Sequence, residues 1–196
     1  MLVFLGKPVL AGFFYLRGKG GRMLYRFQIE LSDIDRGVYE SLDFRVAQHP
    51  SETYPYMLSR VLAYCLSYEE RLEFTPGGLA DPEAPALRKL GLQNSVDLWI
   101  EIGNPSARKL HKASKVAKLV KVYTYKNPEV LLTEVRGGEV HRAQELQMFA
   151  FEPKFLEAAA EKIEKNNRWT LLVQQGTLDL TISEETLTGE VKPAIL

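Results

Sequence analysis

Disulfide cross-links cannot form within this chain, because its sequence contains a single cysteine, Cys65. A lone cysteine is typical of proteins from reducing compartments, and we expect a cytoplasmic location. Long apolar runs are missing as well, since no segment reaches the roughly 18–20 apolar residues that cross a bilayer. The sequence therefore predicts a protein without a membrane partner.

An excess of charge of either sign is also absent: 25 basic residues balance 25 acidic ones. A protein whose whole surface is adapted to nucleic acid carries a strong positive excess, so this class is disfavoured, although a local basic groove is not. The length of 196 residues and the 45% hydrophobic content suit one domain with a substantial core.

The first 22 residues differ from the rest of the chain. An apolar stretch, 1–16, precedes the basic, glycine-rich stretch 17–22. A signal peptide has the opposite order, with its positive charge first. We therefore expect residues 1–22 to be a poorly ordered extension or an overextended start, and residues 23–196 to form a single domain.

Residues 96–102 alternate between apolar and polar side chains, which predicts a β-strand with one buried face. The apolar face comprises Val96, Leu98, Ile100 and Ile102, and the opposite face comprises Asp97, Trp99 and Glu101. Because Trp99 accompanies the two acids, we expect the opposite face to be partly covered. A cationic helix follows, with Asn104 as its predicted N-cap and Pro105 at its first position.

Before this strand, the pattern predicts an antiparallel hairpin over 24–47 and a helix that begins at Ser51 or Thr53 and ends near Tyr68. A short strand over 71–75 and a long irregular connection over 76–95 complete this half of the chain.

After the cationic helix, the pattern predicts a strand over 118–125, a helix from the cap Asn127 to Val135, a strand over 145–151, a helix over 153–165, and strands over 169–174 and 177–183. Alternation of strands and helices between 96 and 151 predicts parallel strands joined by crossovers, and the terminal hairpins add antiparallel strands.

Carboxylates in several segments are candidate metal ligands. Asp97 and Glu101 lie four residues apart on one strand, roughly 13 Å at ~3.3 Å per residue, so both cannot bind one Mg²⁺ ion directly. A partner must come from Asp81 or Glu83 in the long connection, or from Glu52 at a helix start. The alternative is ordinary: strand acids that face solvent, and a Glu52 that interacts with the helix dipole.

Basic residues are concentrated after the strand, where seven Lys or Arg residues and no acid occur between Arg108 and Lys126. Such a run forms either a solvated face or a phosphate-binding surface. On the second interpretation nucleic acid is the partner, and its backbone contacts Arg108, Lys112, Lys115, Lys118 and Lys121. The three histidines lack the spacing of a zinc motif.

Four segments, in this order along the chain, carry a family resemblance: His49-Pro50-Ser51-Glu52-Thr53, Glu70-Arg71-Leu72-Glu73-Phe74-Thr75, Gly78-Leu79, and Asp97-Leu98-Trp99-Ile100-Glu101-Ile102-Gly103-Asn104-Pro105. They resemble the bacterial YaeQ family from about Met23 to the end of the chain. The family is similar in fold to the PD-(D/E)xK nuclease superfamily, so the resemblance implies a restriction-endonuclease-like mixed sheet flanked by helices.

The resemblance also implies a site with bound Mg²⁺. By position, Glu52 corresponds to the helix acid and Glu101 to the acid of the last motif, while Glu83 or Asp81 supplies the middle carboxylate. The superfamily places a lysine two residues after the last acid, where this chain has Gly103. Lys109 or Lys112 on the next helix is then the candidate replacement.

The leading hypothesis from the sequence is a nuclease-like protein that uses Mg²⁺ or Mn²⁺ to act on phosphodiesters. Glu83 and Glu101 would be direct ligands, and Glu52 or Asp97 would bind through water. Lys109 or Lys112 would orient water or neutralise the departing anion. The alternative is a non-catalytic module on a degenerate nuclease fold that binds nucleic acid or a protein partner; Gly103 and the balanced charge favour it.

Overall fold

A computed structural model of the chain describes residues 23–76 and 81–196. The predicted extension at 1–22 and the Gly78-Leu79 segment lie outside the described residues. The strands are β1 Met23–Asp33, β2 Val38–Gln48, β3 Leu72–Phe74, β4 Leu87–Leu90, β5 Val96–Ile102, β6 Ala117–Thr124, β7 Gln147–Phe151, β8 Asn166–Gln174, β9 Thr177–Ile182 and β10 Glu185–Pro193. The helices are α1 Tyr54–Leu66, α2 Ala107–Val116, α3 Pro128–Gly137 and α4 Pro153–Ala160. Within these ranges, no helix has the length and apolar character that a membrane crossing requires.

All ten strands form one mixed sheet in the order β2-β1-β8-β9-β10-β7-β6-β5-β4-β3. Strands β5, β6 and β7 are parallel neighbours joined through α2 and α3, which confirms the predicted crossovers. Antiparallel pairs β1–β2 and β8–β9 confirm the two terminal hairpins. The carboxyl ends of β5, β6 and β7 consequently meet at one edge of the sheet.

The sheet curls around α1 until its two outermost strands approach each other. Residues Met57, Leu58, Val61 and Leu62 of this helix are fully buried. Phe44 on β2 and Phe74 on β3 belong to opposite ends of the sheet order, yet their ring centroids are 5.5 Å apart. Over the described residues the fold is therefore mixed α/β, with a nearly closed ten-stranded sheet and four α-helices.

A second, smaller core lies on the outer face of β5. Leu98 and Ile100 pack with α1, whereas Trp99 packs with Leu110 of α2 and Leu131 of α3. Both faces of β5 are thus covered, as the period-two pattern and the position of Trp99 predicted. This arrangement buries Trp99 and Glu101 on the acid-bearing face, whereas Asp97 on the same face stays half-buried.

Helix starts follow the predicted caps at two places and depart from them at a third. Thr53 Oγ1 accepts from the backbone N–H of Tyr56, and Asn127 Oδ1 accepts from that of Glu129. Asn104 was the predicted cap of α2, and this prediction is wrong. Ser106 caps α2 instead, because the Asn104 side chain is occupied by Thr124, whose hydroxyl donates to it at 2.6 Å.

Three further predictions need correction. The connection 76–95 contains β4, which pairs with β3 and β5; its two central basic residues conceal the apolar pattern. Helix α4 ends at Ala160 rather than near 165. The backbone N–H groups of Lys162 and Ile163 donate to carbonyls three residues earlier, instead of the four residues that an α-helix requires. The pattern also predicts no strand after residue 183, whereas the structure has β10 there. Gly189 of β10 has no side chain, and Phe155 of α4 fills the space that this leaves.

Candidate functional site

Glu101 lies near the carboxyl end of β5 and is 3% exposed. Its Oε1 accepts a hydrogen bond from Trp99 Nε1 at 2.7 Å, and its Oε2 accepts one from Lys109 Nζ at 2.9 Å. Burial raises the pKa of the Glu101 carboxyl, whereas the Lys109 ammonium and the Trp99 indole oppose that rise. The carboxylate is thus held in a fixed position by one indole and one cation.

Lys109 reaches this carboxylate from the first turn of α2. The Ser106 cap orients that turn by accepting from the Lys109 backbone N–H. The Lys109 ammonium also donates to the carbonyl of Ala84 at 3.0 Å. A cation therefore already lies between a carboxylate oxygen and a backbone oxygen, both of which are hard ligands of the kind that Mg²⁺ prefers.

A second buried ion pair lies beside the first. Arg60 of α1 donates to both oxygens of Glu52 at 2.7 Å, and the His49 backbone N–H adds a third bond to that carboxylate at 3.0 Å. Burial raises the pKa of Glu52, and the attraction of the Arg60 guanidinium offsets part of that rise. Arg60 also donates to the carbonyl of Ala47, so its position is fixed from two sides.

Arg60, Glu101 and Lys109 of these two pairs line one small, partly open cavity of about 40 Å³. It has room for an ion and a few waters or for one phosphoryl group, but not for a whole nucleotide. Its polar walls come from Tyr56, Arg60, Asp81, Glu101 and Lys109, and the segment 84–86 closes one side. Burial raises the pKa of the Tyr56 phenol well above its usual range, so at neutral pH this hydroxyl is protonated and able to donate.

Three residues proposed from the sequence therefore line one cavity: Asp81, Glu101 and Lys109. Glu52 contacts Arg60, which separates it from Glu101 in the cavity wall. Between the two candidate lysines, the structure brings Lys109 to Glu101. A lysine at position 103 would be strained there, because Gly103 has a left-handed φ of 83°.

The other candidates lie apart from the cavity. Glu83 is on the surface, 3.1 Å from Lys112 and 3.5 Å from Arg108, and the Lys112 ammonium lowers the pKa of its carboxyl. Asp97 pairs with Lys118 at 2.7 Å, near the opposite end of β5.

The predicted basic surface is divided by the sheet. Arg108, Lys112 and Lys115 are exposed along α2. Lys121 is directed to the other side of β6, where its Nζ is 3.5 Å from Ser67 Oγ and burial lowers its pKa. A ligand on the α2 surface therefore does not reach Lys121.

Sequence reasoning missed Arg60 and Tyr56. A signal was present, since Arg60 lies between Met57 and Val61 on the apolar stripe of α1. A charged residue at a core position requires a buried partner. Glu52, eight residues earlier, is that partner.

The donor set suits a divalent ion bound together with its substrate. Among residues 23–76 and 81–196, no three His, Cys, Asp or Glu side chains are grouped closely enough to form a metal cage. Mg²⁺ usually needs no such cage, because one or two carboxylates, waters and substrate phosphates complete its shell. Glu101 and Asp81 both line the cavity; Glu101 is buried, whereas Asp81 is exposed and its Oδ1 accepts from the Glu83 backbone N–H at 2.9 Å. The metal site stays a prediction, and the chemistry of these residues is compatible with it.

The raised pKa of Glu101 gives a prediction that needs no substrate. Titrating the protein should change the fluorescence of Trp99, its hydrogen-bond partner, with a midpoint above the ordinary glutamate value of about 4.3. Lys109→Met should move the midpoint to higher pH, since the ionised carboxylate loses its cation. Glu101→Gln should abolish the transition; a midpoint that Lys109→Met leaves unchanged would contradict the assigned contact.

Comparisons with known proteins agree with this fold. The family model described as "YaeQ protein" matches residues 22–191. "Uncharacterized protein YaeQ" of Escherichia coli (strain K12) is 40% identical over 103 residues, which are 52% of this chain and 56% of that protein. The namesake from Salmonella typhi is 38% identical over 103 residues. The match thus spans about half the length of these curated relatives, 56% in each case.

Two solved structures match nearly the whole chain. The YaeQ protein from Pseudomonas syringae is 31% identical with a TM-score of 0.80, and the match covers 88% of this chain and 95% of that one. The YaeQ protein from Xanthomonas axonopodis pv. citri is 26% identical with a TM-score of 0.83, over 89% and 99% of the two chains.

Proposed function

Because this chain belongs to the YaeQ family, whose curated relatives are described as uncharacterized, we propose its function from its own site. The proposal is a nuclease-type hydrolase that uses Mg²⁺ or Mn²⁺ to cleave phosphodiesters, on a restriction-endonuclease-like fold. The observation that supports it is the arrangement of Glu101, Asp81 and Lys109 around one small cavity with Arg60 and Tyr56.

The charges around the cavity favour the binding of a divalent cation first and of an anion after it. Three carboxylates, on Glu52, Asp81 and Glu101, accompany two cations, on Arg60 and Lys109. This surplus of one negative charge attracts a divalent ion, and the occupied site then carries a net positive charge. A phosphodiester bears the complementary single negative charge.

Each side chain has a distinct part in this proposal. Glu101 and Asp81 would hold the ion, which when bound activates water and neutralises phosphate charge. Lys109 would release Glu101 and donate to an oxygen of the phosphate. Tyr56 would donate from its protonated hydroxyl, and Arg60, fixed by Glu52, would add a stationary positive charge.

The exposed cations of α2 extend the proposed site. Arg108 and Lys112 both contact Glu83, which follows Asp81 by two residues. Together with Lys115 they would hold phosphates that flank the one in the cavity. In the cytoplasmic setting expected from the sequence, the substrate class would be nucleic acid.

A non-catalytic module is the second candidate, and one observation favours it. Both oxygens of Glu101 already accept hydrogen bonds, so the carboxylate is satisfied without a metal. In that case the Lys109 contacts with Glu101 and Ala84 serve to hold segment 84–86 against β5. The protein would then bind nucleic acid or a protein partner without cleaving it.

Thermal unfolding with added Mg²⁺ or Mn²⁺ tests the metal site. At a metal concentration tenfold above Kd, binding stabilises the folded state by about 1.4 kcal/mol, which raises Tm by about 3–5 °C in a domain of this size. Glu101→Gln and Asp81→Asn should lose that rise. Asp97→Asn, a matched acid at the far end of β5, should keep it; equal shifts in wild type and Glu101→Gln would refute the site.

A further inference from the structure

A larger groove adjoins the small cavity, and two tyrosines separate them. Tyr56 lines the cavity, Tyr125 lines the groove, and their ring centroids are 6.4 Å apart with perpendicular planes. The groove is open to solvent on one side and has a volume of about 810 Å³. That volume is in the range that holds a nucleotide-sized ligand, whereas the cavity holds only a phosphoryl group.

Both sites lie along the edge where parallel strands end. Glu101 is near the carboxyl end of β5, Tyr125 and Lys126 directly follow β6, and Phe151 ends β7. Ligands of α/β proteins bind in the crevice outside the carboxyl ends of parallel strands. The cavity and the groove therefore lie side by side along this edge.

The groove suits a planar apolar group better than a row of phosphates. Its apolar lining includes Pro128, Leu132, Phe151, Pro153 and Ile195. Glu190 is paired with Lys192 at 2.5 Å, and Glu129 and Glu152 add further negative charge. Lys126 contributes an ammonium 5.8 Å from the centre of the Tyr125 ring. A duplex backbone would meet these carboxylates, but a nucleobase would not be repelled.

We propose that this groove binds an unpaired nucleobase of single-stranded nucleic acid, stacked on Tyr125 beside the phosphodiester held in the cavity. The inference rests on the proposed function and specifies its substrate class. Bases become available to protein aromatic rings only where they are not stacked within a helix, which is why the strand must be single. Lys126 would contact the phosphate that joins this base to the next.

Binding measured by fluorescence anisotropy in Ca²⁺, with the full chain, tests the groove. The probes are labelled oligo-dT, oligo-U, an abasic oligonucleotide with the same number of phosphates, and a duplex. Wild type should bind the single strands more tightly than the abasic strand and the duplex. Tyr125→Ala should weaken oligo-dT binding about 5- to 150-fold, the range that one stacked base accounts for, and leave abasic binding unchanged.

Matched variants separate stacking from folding. Tyr125→Phe keeps the ring and should bind like wild type, whereas Tyr125→Leu keeps apolar packing against Tyr56 and should lose binding as alanine does. Tyr39→Ala removes a tyrosine that is 64% exposed on β2, and should change nothing. Equal affinity of wild type for oligo-dT and the abasic strand would overturn the groove assignment, as would tighter binding of the duplex.

The outcomes for the groove and for hydrolysis are distinguishable. Cleavage that needs Glu101 but is insensitive to Tyr125 and to the base would refute the groove and leave the hydrolase. Base-dependent binding that needs Tyr125, without cleavage under Mg²⁺ or Mn²⁺, would refute the hydrolase and leave the groove.

Discussion

Arg60→Met is expected to lower the free energy of unfolding by about 3–5 kcal/mol, because it leaves the carboxylate of Glu52 buried without its cation. The two side chains are 6% and 0% exposed, so water cannot replace the guanidinium. Urea denaturation, with the midpoint and slope fitted together, measures the loss. Exposed ion pairs contribute only about 0–1 kcal/mol. Arg88→Met, which breaks the surface pair with Glu73, is therefore the matched control.

The double variant Glu52→Gln/Arg60→Met should recover most of the lost stability, since no unpaired charge remains. The defect of Arg60→Met should also depend on pH. Burial puts the pKa of Glu52 above its unfolded value, so the folded state binds the proton more tightly. The destabilisation is then complete above the folded-state pKa and disappears as the pH falls towards the unfolded value. A loss below 1 kcal/mol, or one independent of pH, would contradict the pairing.

Glu101→Gln should reduce cleavage of a single-stranded oligonucleotide in Mn²⁺ by about 10²–10³-fold, because the ion loses its buried carboxylate. Lys109→Met should lower kcat by a comparable factor. Lys118→Met is the matched control: Lys118 also pairs with an acid of β5, Asp97, but away from the cavity. It should leave kcat unchanged, and gel analysis of time courses measures all three variants.

Thermal unfolding of these variants shows whether the fold is retained. Glutamine still accepts from Trp99 Nε1, so Glu101→Gln keeps one of the two contacts of the carboxylate. Undiminished cleavage by Glu101→Gln would refute the hydrolase proposal. If wild type binds nucleic acid but cleaves nothing with either metal, the non-catalytic module is the correct alternative.

The fold was predictable where local signals and tertiary packing agree. Strand β5 alternates with period two because its faces meet two different cores. Thr53 and Asn127 cap helices through contacts with residues two or three positions away, so the sequence alone suffices. Strands β4 and β10 were missed because their own residues show little apolar alternation; pairing with β5, and with β9 and β7, places them in the sheet.

Two of the acids proposed from the sequence, Asp81 and Glu101, line the cavity, but the pairing of the acids with cations was not predictable. Strand spacing indicated that Asp97 and Glu101 need separate partners, and each pairs with a different lysine. Lys109 and Lys112 lie less than one helical turn apart on α2, so only the position of that helix against β5 decides which one reaches Glu101. The pairing of Arg60 was not predictable because a basic residue on a helix usually extends its charge to solvent, and only tertiary packing buries it against Glu52.

The parallel pairing of β1 with β8 constrains how this protein is made. Contacts across the pair join residues 140 positions apart, for example Gln28 and Arg168. During synthesis the amino-terminal hairpin therefore leaves the ribosome long before the strand that covers its inner edge. Until then that edge of β1 is open to other strands, and the apolar surface of α1 lacks part of its enclosure. Emergence of β8, β9 and β10 from the ribosome, rather than completion of any single hairpin, therefore limits when the sheet can close.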